Sequence, residues 1–178
     1  LVMATVINFL FNPAFSLMPI LVTKHFGGQA MQLAWIDSAW GIGVVVCGLT
    51  LSVWGGFRRR ILTTLAGLAG MGMGTLSIGL SPATAFELAL AGMLLAGFMN
   101  PITNGPVFAV IQSVVAPEMQ GRVFTVIGSL TAAMSPLGMA IAGPVADAFG
   151  VQGWFVVGGV VCVLMGLIAF CVPAIGHL

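Results

Sequence analysis

The chain is 178 residues long, 60% of them apolar and 5% charged, with a formal net charge of +1 and a mean hydropathy of +1.17. A soluble domain carries roughly 25% charged residues, so this composition cannot cover a water-facing surface, and lipid is the solvent for most of the chain. The balance of charge leaves no basic footprint for nucleic acid, and Cys47, Cys162 and Cys171 fall inside apolar runs without metal-ligand spacing, which points to packing rather than to disulfides or a metal.

A membrane-spanning helix needs about 20 mostly apolar residues, and the whole of 1–178 reads as one domain of six. The first span is placed at 1–23, beginning on a leucine already inside an apolar run. Nothing there resembles a cleavable signal, so the chain reads as a piece of a longer protein. Lys24-His25-Phe26-Gly27-Gly28 closes that span. The second is placed at 31–54 and ends on Gly55-Gly56-Phe57-Arg58-Arg59-Arg60. The third, 61–80, ends on Ser81-Pro82, and the fourth, 84–114, is long enough to tilt or protrude. Ala116-Pro117-Glu118-Met119-Gln120-Gly121-Arg122 forms a polar break before the fifth, 123–146. Asp147 to Gly153 turns the chain into the sixth, 154–174.

With six spans, the loops after the second and fourth share a side with both termini. That side holds Arg58, Arg59, Arg60 and Arg122 against Lys24 on the other, which places both termini and the arginines in the cytoplasm. Trp35, Trp54 and Trp154 lie near span ends, where an indole can meet lipid headgroups. Gly70 with Gly74, and Gly138 with Ala142, are small residues four apart that let helices approach closely.

Divided three and three, the spans echo one another. Span one carries Asn8, Asn12 and Pro13; span four carries Asn100, Pro101, Asn104 and Pro106. Each has an Asn-Pro step near its middle and a second asparagine four residues away, on the same helix face. Three spans separate the two helices, so they run in opposite directions, the arrangement of an inverted repeat. Proline-interrupted helices at corresponding positions point to a binding site at mid-membrane. Asn8, Asn12, Asn100 and Asn104 are therefore cavity candidates. The plainer alternative is that these amides bond across helices and the prolines only kink. Gln112, Ser129, Thr131 and Ser135 are weaker cavity candidates, because hydroxyls in membrane helices usually bond their own backbone.

Asp37 is the one acid well inside a span, and an intramembrane carboxylate is a functional-site hypothesis by default. It is the candidate for proton coupling; the alternative is an interfacial acid that faces water or pairs with Lys24. Glu87 and Asp147 fall at span ends. His25 and His177 lie in a loop and at the C-terminus, so neither a catalytic dyad nor a metal set can be assembled within the bundle. An enzyme is not expected, and neither is a cofactor.

Several stretches carry a family resemblance. Gly97-Phe98-Met99-Asn100-Pro101, Asn104-Gly105-Pro106, Pro117 to Phe124, Ser135-Pro136-Leu137-Gly138 and Ala142-Gly143-Pro144, with the arginine loop after span two, resemble the C-terminal half of a major facilitator superfamily transporter. More narrowly they are similar to drug:proton antiporters of the macrolide-efflux type. The resemblance implies that these are helices seven to twelve, in an all-α bundle with a 3+3 inverted repeat. A six-helix N-terminal half would complete it, with a central cavity lined by helices seven, eight, ten and eleven. It also implies a cytoplasmic gate at the loop after span two. There Arg58, Arg59 and Arg60 match the superfamily pattern, while Trp54 or a glycine stands where its acid belongs; the arginines can equally be topology anchors. Gly121 and Arg122 would shape and anchor the inner loop between helices ten and eleven. The implied activity is proton-coupled export of a hydrophobic or amphipathic small molecule across the cell membrane. Its rivals are a permease for another solute or a siderophore, and a self-associating channel or non-transporting subunit.

Overall fold

The computed structural model describes residues 2–54 and 60–171; at 2–8, 54, 60, 61, 134, 135, 149 and 169–171 the description is of the backbone. Everything regular in it is helical. Helix α1 (Val2–Ile20) runs on through a wide π-helical turn (Leu21–His25). Then come α2 (Ala30–Trp54), α3 (Arg60–Leu80), α4 (Phe86–Val114), α5 (Pro117–Phe149) and α6 (Val151–Cys171). A helix meets all its backbone hydrogen bonds internally, as an apolar solvent demands. Among the described residues, α2 to α6 each contain a stretch long and apolar enough to cross a membrane.

Two expected breaks are shorter than the sequence suggests. The polar stretch 116–122 is mostly helix: Val115 and Ala116 are extended (ψ 128° and 141°), and Pro117 then starts α5. A residue before proline is driven to the extended region, and proline is well suited to the first helical position. Glu118 and Gln120 are good helix formers, and Gln120 Nε2 donates back to the carbonyls of Gln112 and Val115, covering the end of α4. Asp147, Ala148 and Phe149 likewise belong to α5, and the turn into α6 comes down to Gly150, whose φ of 79° suits glycine. At 33 residues α5 is about 50 Å long, more than a hydrocarbon core of about 30 Å, so its polar ends reach beyond the apolar layer.

The bundle is built on the crossing of α3 and α6, which is reciprocal. A Cβ on Gly72 would lie 2.8 Å from the carbonyl of Gly159 and from the backbone nitrogen of Val163. One on Gly159 would lie 2.8 Å from the carbonyl of Gly72 and from the backbone nitrogen of Leu76. Leu76 and Val163 stand at the same step beyond their glycines, so a two-fold axis passes between the helices. Helices α3 and α6 hold the third places of the two triplets, so this crossing joins the halves of the inverted repeat expected from the sequence. Helix α4 lies against both α2 and α3, and α1, its counterpart, lies against α5 but meets α6 only slightly. The core combines Leu68 and Ile78 of α3, Met93 of α4, Phe155 of α6 and Leu17, Met18, Leu21 and Val22 of the first helix and its π turn. Large apolar side chains face outward, such as Val45, Leu49 and Val53 on α2 and Val126, Leu130 and Ile141 on α5.

Trp154 departs from its expected place at the headgroups. It is buried, packs edge-to-face on Phe9, and donates from Nε1 to the carbonyl of Leu10 at 3.1 Å, tying the start of α6 to α1. Trp35, by contrast, is exposed.

Candidate functional site

The Asn-Pro steps of α1 and α4 are built alike. Each proline lacks an N–H, so the carbonyl four residues earlier loses its helical partner; these are the carbonyls of Phe9 and Gly97. In α1, Ser16 Oγ donates to the carbonyl of Asn12 at 3.1 Å; in α4, Asn104 Nδ2 donates to the carbonyl of Asn100 at 3.1 Å. In both helices the residue three beyond the proline thus bonds back to the asparagine before it. A helix of the other pair lies against each freed carbonyl. Gly138 of α5 sits on the ring of Pro13, where a Cβ would stand 3.0 Å from the Phe9 oxygen. Gly97 sits against the backbone of Trp40 on α2, and Gly43 against the backbone of Leu94 and Phe98. At Gly97 and Gly43 glycine is required because backbone, not a yielding side chain, occupies the space.

The asparagines differ in what their amides do. Asn104 turns its amide onto its own helix, as the plainer reading anticipated. Asn12 is half-buried, and its Nδ2 is enclosed without a hydrogen-bond partner among the described residues. An unmet buried donor costs about 1–3 kcal/mol and calls for an explanation. Asn100 is half-buried, and its side chain makes no hydrogen bond among the described residues. The side chains of Asn8 and Ser135 lie outside the described residues, as does that of Arg60; Arg58 and Arg59 lie outside entirely. Helices α1 and α4 barely meet, so within this chain Asn12 is not brought against Asn100 and Asn104.

Asp37 is exposed, on the second turn of α2, and makes no hydrogen bond or ion pair among the described residues. The alternative pairing with Lys24 is not formed. Gln112 is exposed near the end of α4, and its backbone carbonyl receives Gln120. Gly121 and Arg122 are a correction: they lie within the first turns of α5, not in a loop. Gly121 has an ordinary helical backbone with open space where a Cβ would be, and its carbonyl accepts from Thr125 Oγ1 at 2.8 Å. It therefore shapes no loop here, and Arg122 projects exposed from the helix.

One crevice escaped sequence reasoning. It opens where five helices converge, lined by Phe11, Phe15 and Met18 of α1, Trp40 of α2, Ile78 of α3, Met93 of α4 and Phe155 of α6. Phe15 and Trp40 meet edge-to-face at 4.7 Å. It is open on one side and its walls are almost wholly apolar, too slight to enclose a drug-sized molecule. It contains neither an asparagine of the pair nor Asp37. The least covered helix is α5: 6% of its most apolar stretch is buried in the bundle.

A two-fold six-helix bundle with paired Asn-Pro helices defines a membrane transporter module. The family model described as Major Facilitator Superfamily matches residues 1–175, and the chain belongs to that superfamily, a family of transporters and not of enzymes. It is a multi-pass membrane protein. Macrolide efflux protein A of Streptococcus pyogenes is 27% identical over 168 residues, 94% of this chain and 42% of the relative. Multidrug efflux pump Tap of Mycolicibacterium fortuitum is 30% identical over 163 residues, 89% of this chain and 39% of the relative. Tap of Mycobacterium tuberculosis (strain CDC 1551 / Oshkosh) is 32% identical, with 89% and 38% covered. The chain thus spans about two fifths of the length of these relatives.

Proposed function

We propose that this chain is the C-terminal six-helix half of a secondary transporter that exports hydrophobic or amphipathic small molecules in exchange for protons. The half rocks against a second six-helix half, and the solute is bound on the face of α1, α2, α4 and α5. The observation that carries this reading is the pair of Asn-Pro helices at corresponding places in the two triplets, which is where solute sites form in inverted-repeat transporters. The names of the similar efflux proteins support the class of cargo.

In this mechanism Asn12 and Asn100 offer amides to the solute, and the unpartnered Nδ2 of Asn12 finds its acceptor there. Asp37 carries the proton: an exposed carboxylate with no partner in its own half can pass between the two sides of the exchange. Arg58, Arg59, Arg60 and Arg122 hold the arginine-bearing end, and with it both termini, on the cytoplasmic side of the cell membrane.

The test is drug accumulation in cells making the transporter, with and without a protonophore, for the native protein and Asp37→Asn. Export is expected to collapse with the protonophore and in the variant, at unchanged protein level. Export that survives both would remove the proton-coupled reading, and accumulation indifferent to the protein would favour a non-transporting module.

A further inference from the structure

The aromatic crevice at Phe15 and Trp40 has a closed floor and a single mouth. Ala14, Ile78, Met93, Ala96 and Phe155 are each at most 5% exposed, and Thr75 turns its hydroxyl to the carbonyl of Met71. Of the lining residues Phe15 alone is exposed, at 38%, and Trp40 stands half-buried and edge-on to it. The mouth therefore lies between α1 and α2, with α4 behind it.

Chain direction fixes what borders that mouth. Helix α1 runs away from the end that carries Arg122, whereas α2 and α4 run toward it. Asn12 thus lies three residues from Phe15, about 4.5 Å toward the Arg122 end, and Asn100 four residues from Ala96, about 6 Å the same way. Asp37 lies three residues from Trp40, about 4.5 Å the other way. Residues three or four apart share a helix face, so each helix framing the mouth carries one polar candidate beside a lining residue. Both asparagines have uncommitted amides. Nδ2 of Asn12 is enclosed without a partner among the described residues, and the side chain of Asn100 makes no hydrogen bond there.

A lipid chain is the other apolar group that such a crevice could meet, but lipid meets α2 from the opposite side. Leu49, 65% exposed, lies nine residues from Trp40, which is two and a half turns and hence the reverse face. Asparagine and aspartate around a mouth have no use against acyl chains.

We infer that the crevice is the apolar subsite of the solute site, taking one ring or short alkyl branch between Phe15 and Trp40 while an acceptor beside that branch meets Asn12 and Asn100. The inference rests on the export reading for there being a solute at all. Aromatic and thioether walls suit a flat or flexible apolar group and offer nothing to a charged one. Since the crevice is too slight for a whole drug-sized molecule, it recognises a part. Solutes of different bulk that share one such branch next to an acceptor compete for it.

The test is fluorine NMR on the full-length transporter, both halves present, in lipid nanodiscs. Fluorotryptophan is incorporated, and the Trp40 signal is assigned by its loss in Trp40→Phe. The probes are N-benzylacetamide and N-ethylacetamide, which share one amide and differ in the branch. N-benzylacetamide is expected to move the Trp40 signal saturably, to leave that of the buried Trp154 in place, and to bind about tenfold tighter than N-ethylacetamide. Phe15→Ala should remove most of that preference. Asn12→Leu should weaken both probes alike, about threefold, and keep the preference. A native Trp40 signal unmoved by N-benzylacetamide overturns the subsite. So does a Phe15→Ala protein, its Trp154 signal in place, that keeps the full preference. A Trp40 signal that shifts between straight-chain and phytanoyl lipid but not with the probes assigns the crevice to lipid, and overturns it as well. Binding is read without transport, so a protein that exports drugs yet fails here loses the subsite alone. One that binds the probes as expected yet exports nothing loses the export reading alone.

Discussion

Helices α4 and α1 hold equivalent places in the two triplets, and they are held very differently. Helix α4 is pressed between α2 and α3, glycine to backbone on both sides: Gly43 with Gly97, and Gly74 with Gly92, whose would-be Cβ atoms each meet the other's carbonyl at 2.6 Å. Helix α1 rests on α5 at the Gly138–Pro13 seat and on α6 through the Trp154 bond. Its C-terminal end is tied at His25, which lies against the Ser81 carbonyl beyond α3 and against Gln152 of α6. The spans tell the same story: 61% of the apolar stretch of α3 is buried in the bundle, against 6% of that of α5. Helix α5 is therefore the loosely covered one, whereas α1 gives Leu10, Ala14, Leu17 and Met18 to the common core. Local stability follows packing, so α5 is the helix that can be repositioned at least cost.

The comparison breaks most easily at the crossing of α3 and α6. Gly72→Leu would drive a side chain into the backbone of α6, and the folded protein is expected to be lost, with overpacking of about 3 kcal/mol or more read as a collapsed thermal transition in detergent. Gly138→Ala meets both the stiff ring of Pro13 and the Phe9 carbonyl and should cost about 2–3 kcal/mol. Trp154→Phe removes the bond to Leu10 and leaves a small cavity where the second ring stood, and a loss of about 1–2 kcal/mol is expected. Asn12→Leu sharpens the comparison from the other side. It removes an unmet buried donor at similar volume, so stability should hold or rise by up to about 1 kcal/mol while solute export falls. A melting temperature that drops would mean that the amide has a partner in the bundle.

Much of this fold was legible because lipid leaves few choices. Apolar runs near span length separate at glycine, proline and arginine, and the doubled Asn-Pro step announced the repeat before any contact was known. What was not legible depends on partners. The break at 116–122 looked like a loop because its residues are polar, yet polarity there reflects emergence from the membrane, and Pro117 starts helix rather than ending it. Trp154 looked interfacial by position, and only the nearness of α1 explains its burial. Asn12 and Asn104 look equivalent in sequence; Asn104 satisfies its amide on its own helix, and Asn12 does not. The crevice at Phe15 and Trp40, and the meeting of His25 with Ser81 and Gln152, join residues from three or more segments, and no local pattern marks them.

The Gly72–Gly159 crossing has a consequence for how such a chain can change over time. Each glycine is the wall that confines the other, so a side chain gained on either helix needs room that its twin cannot yield. At this point the two triplets cannot drift apart independently. Away from it they can, since α1 and α4 are fastened unevenly and a change at one is not felt at the other.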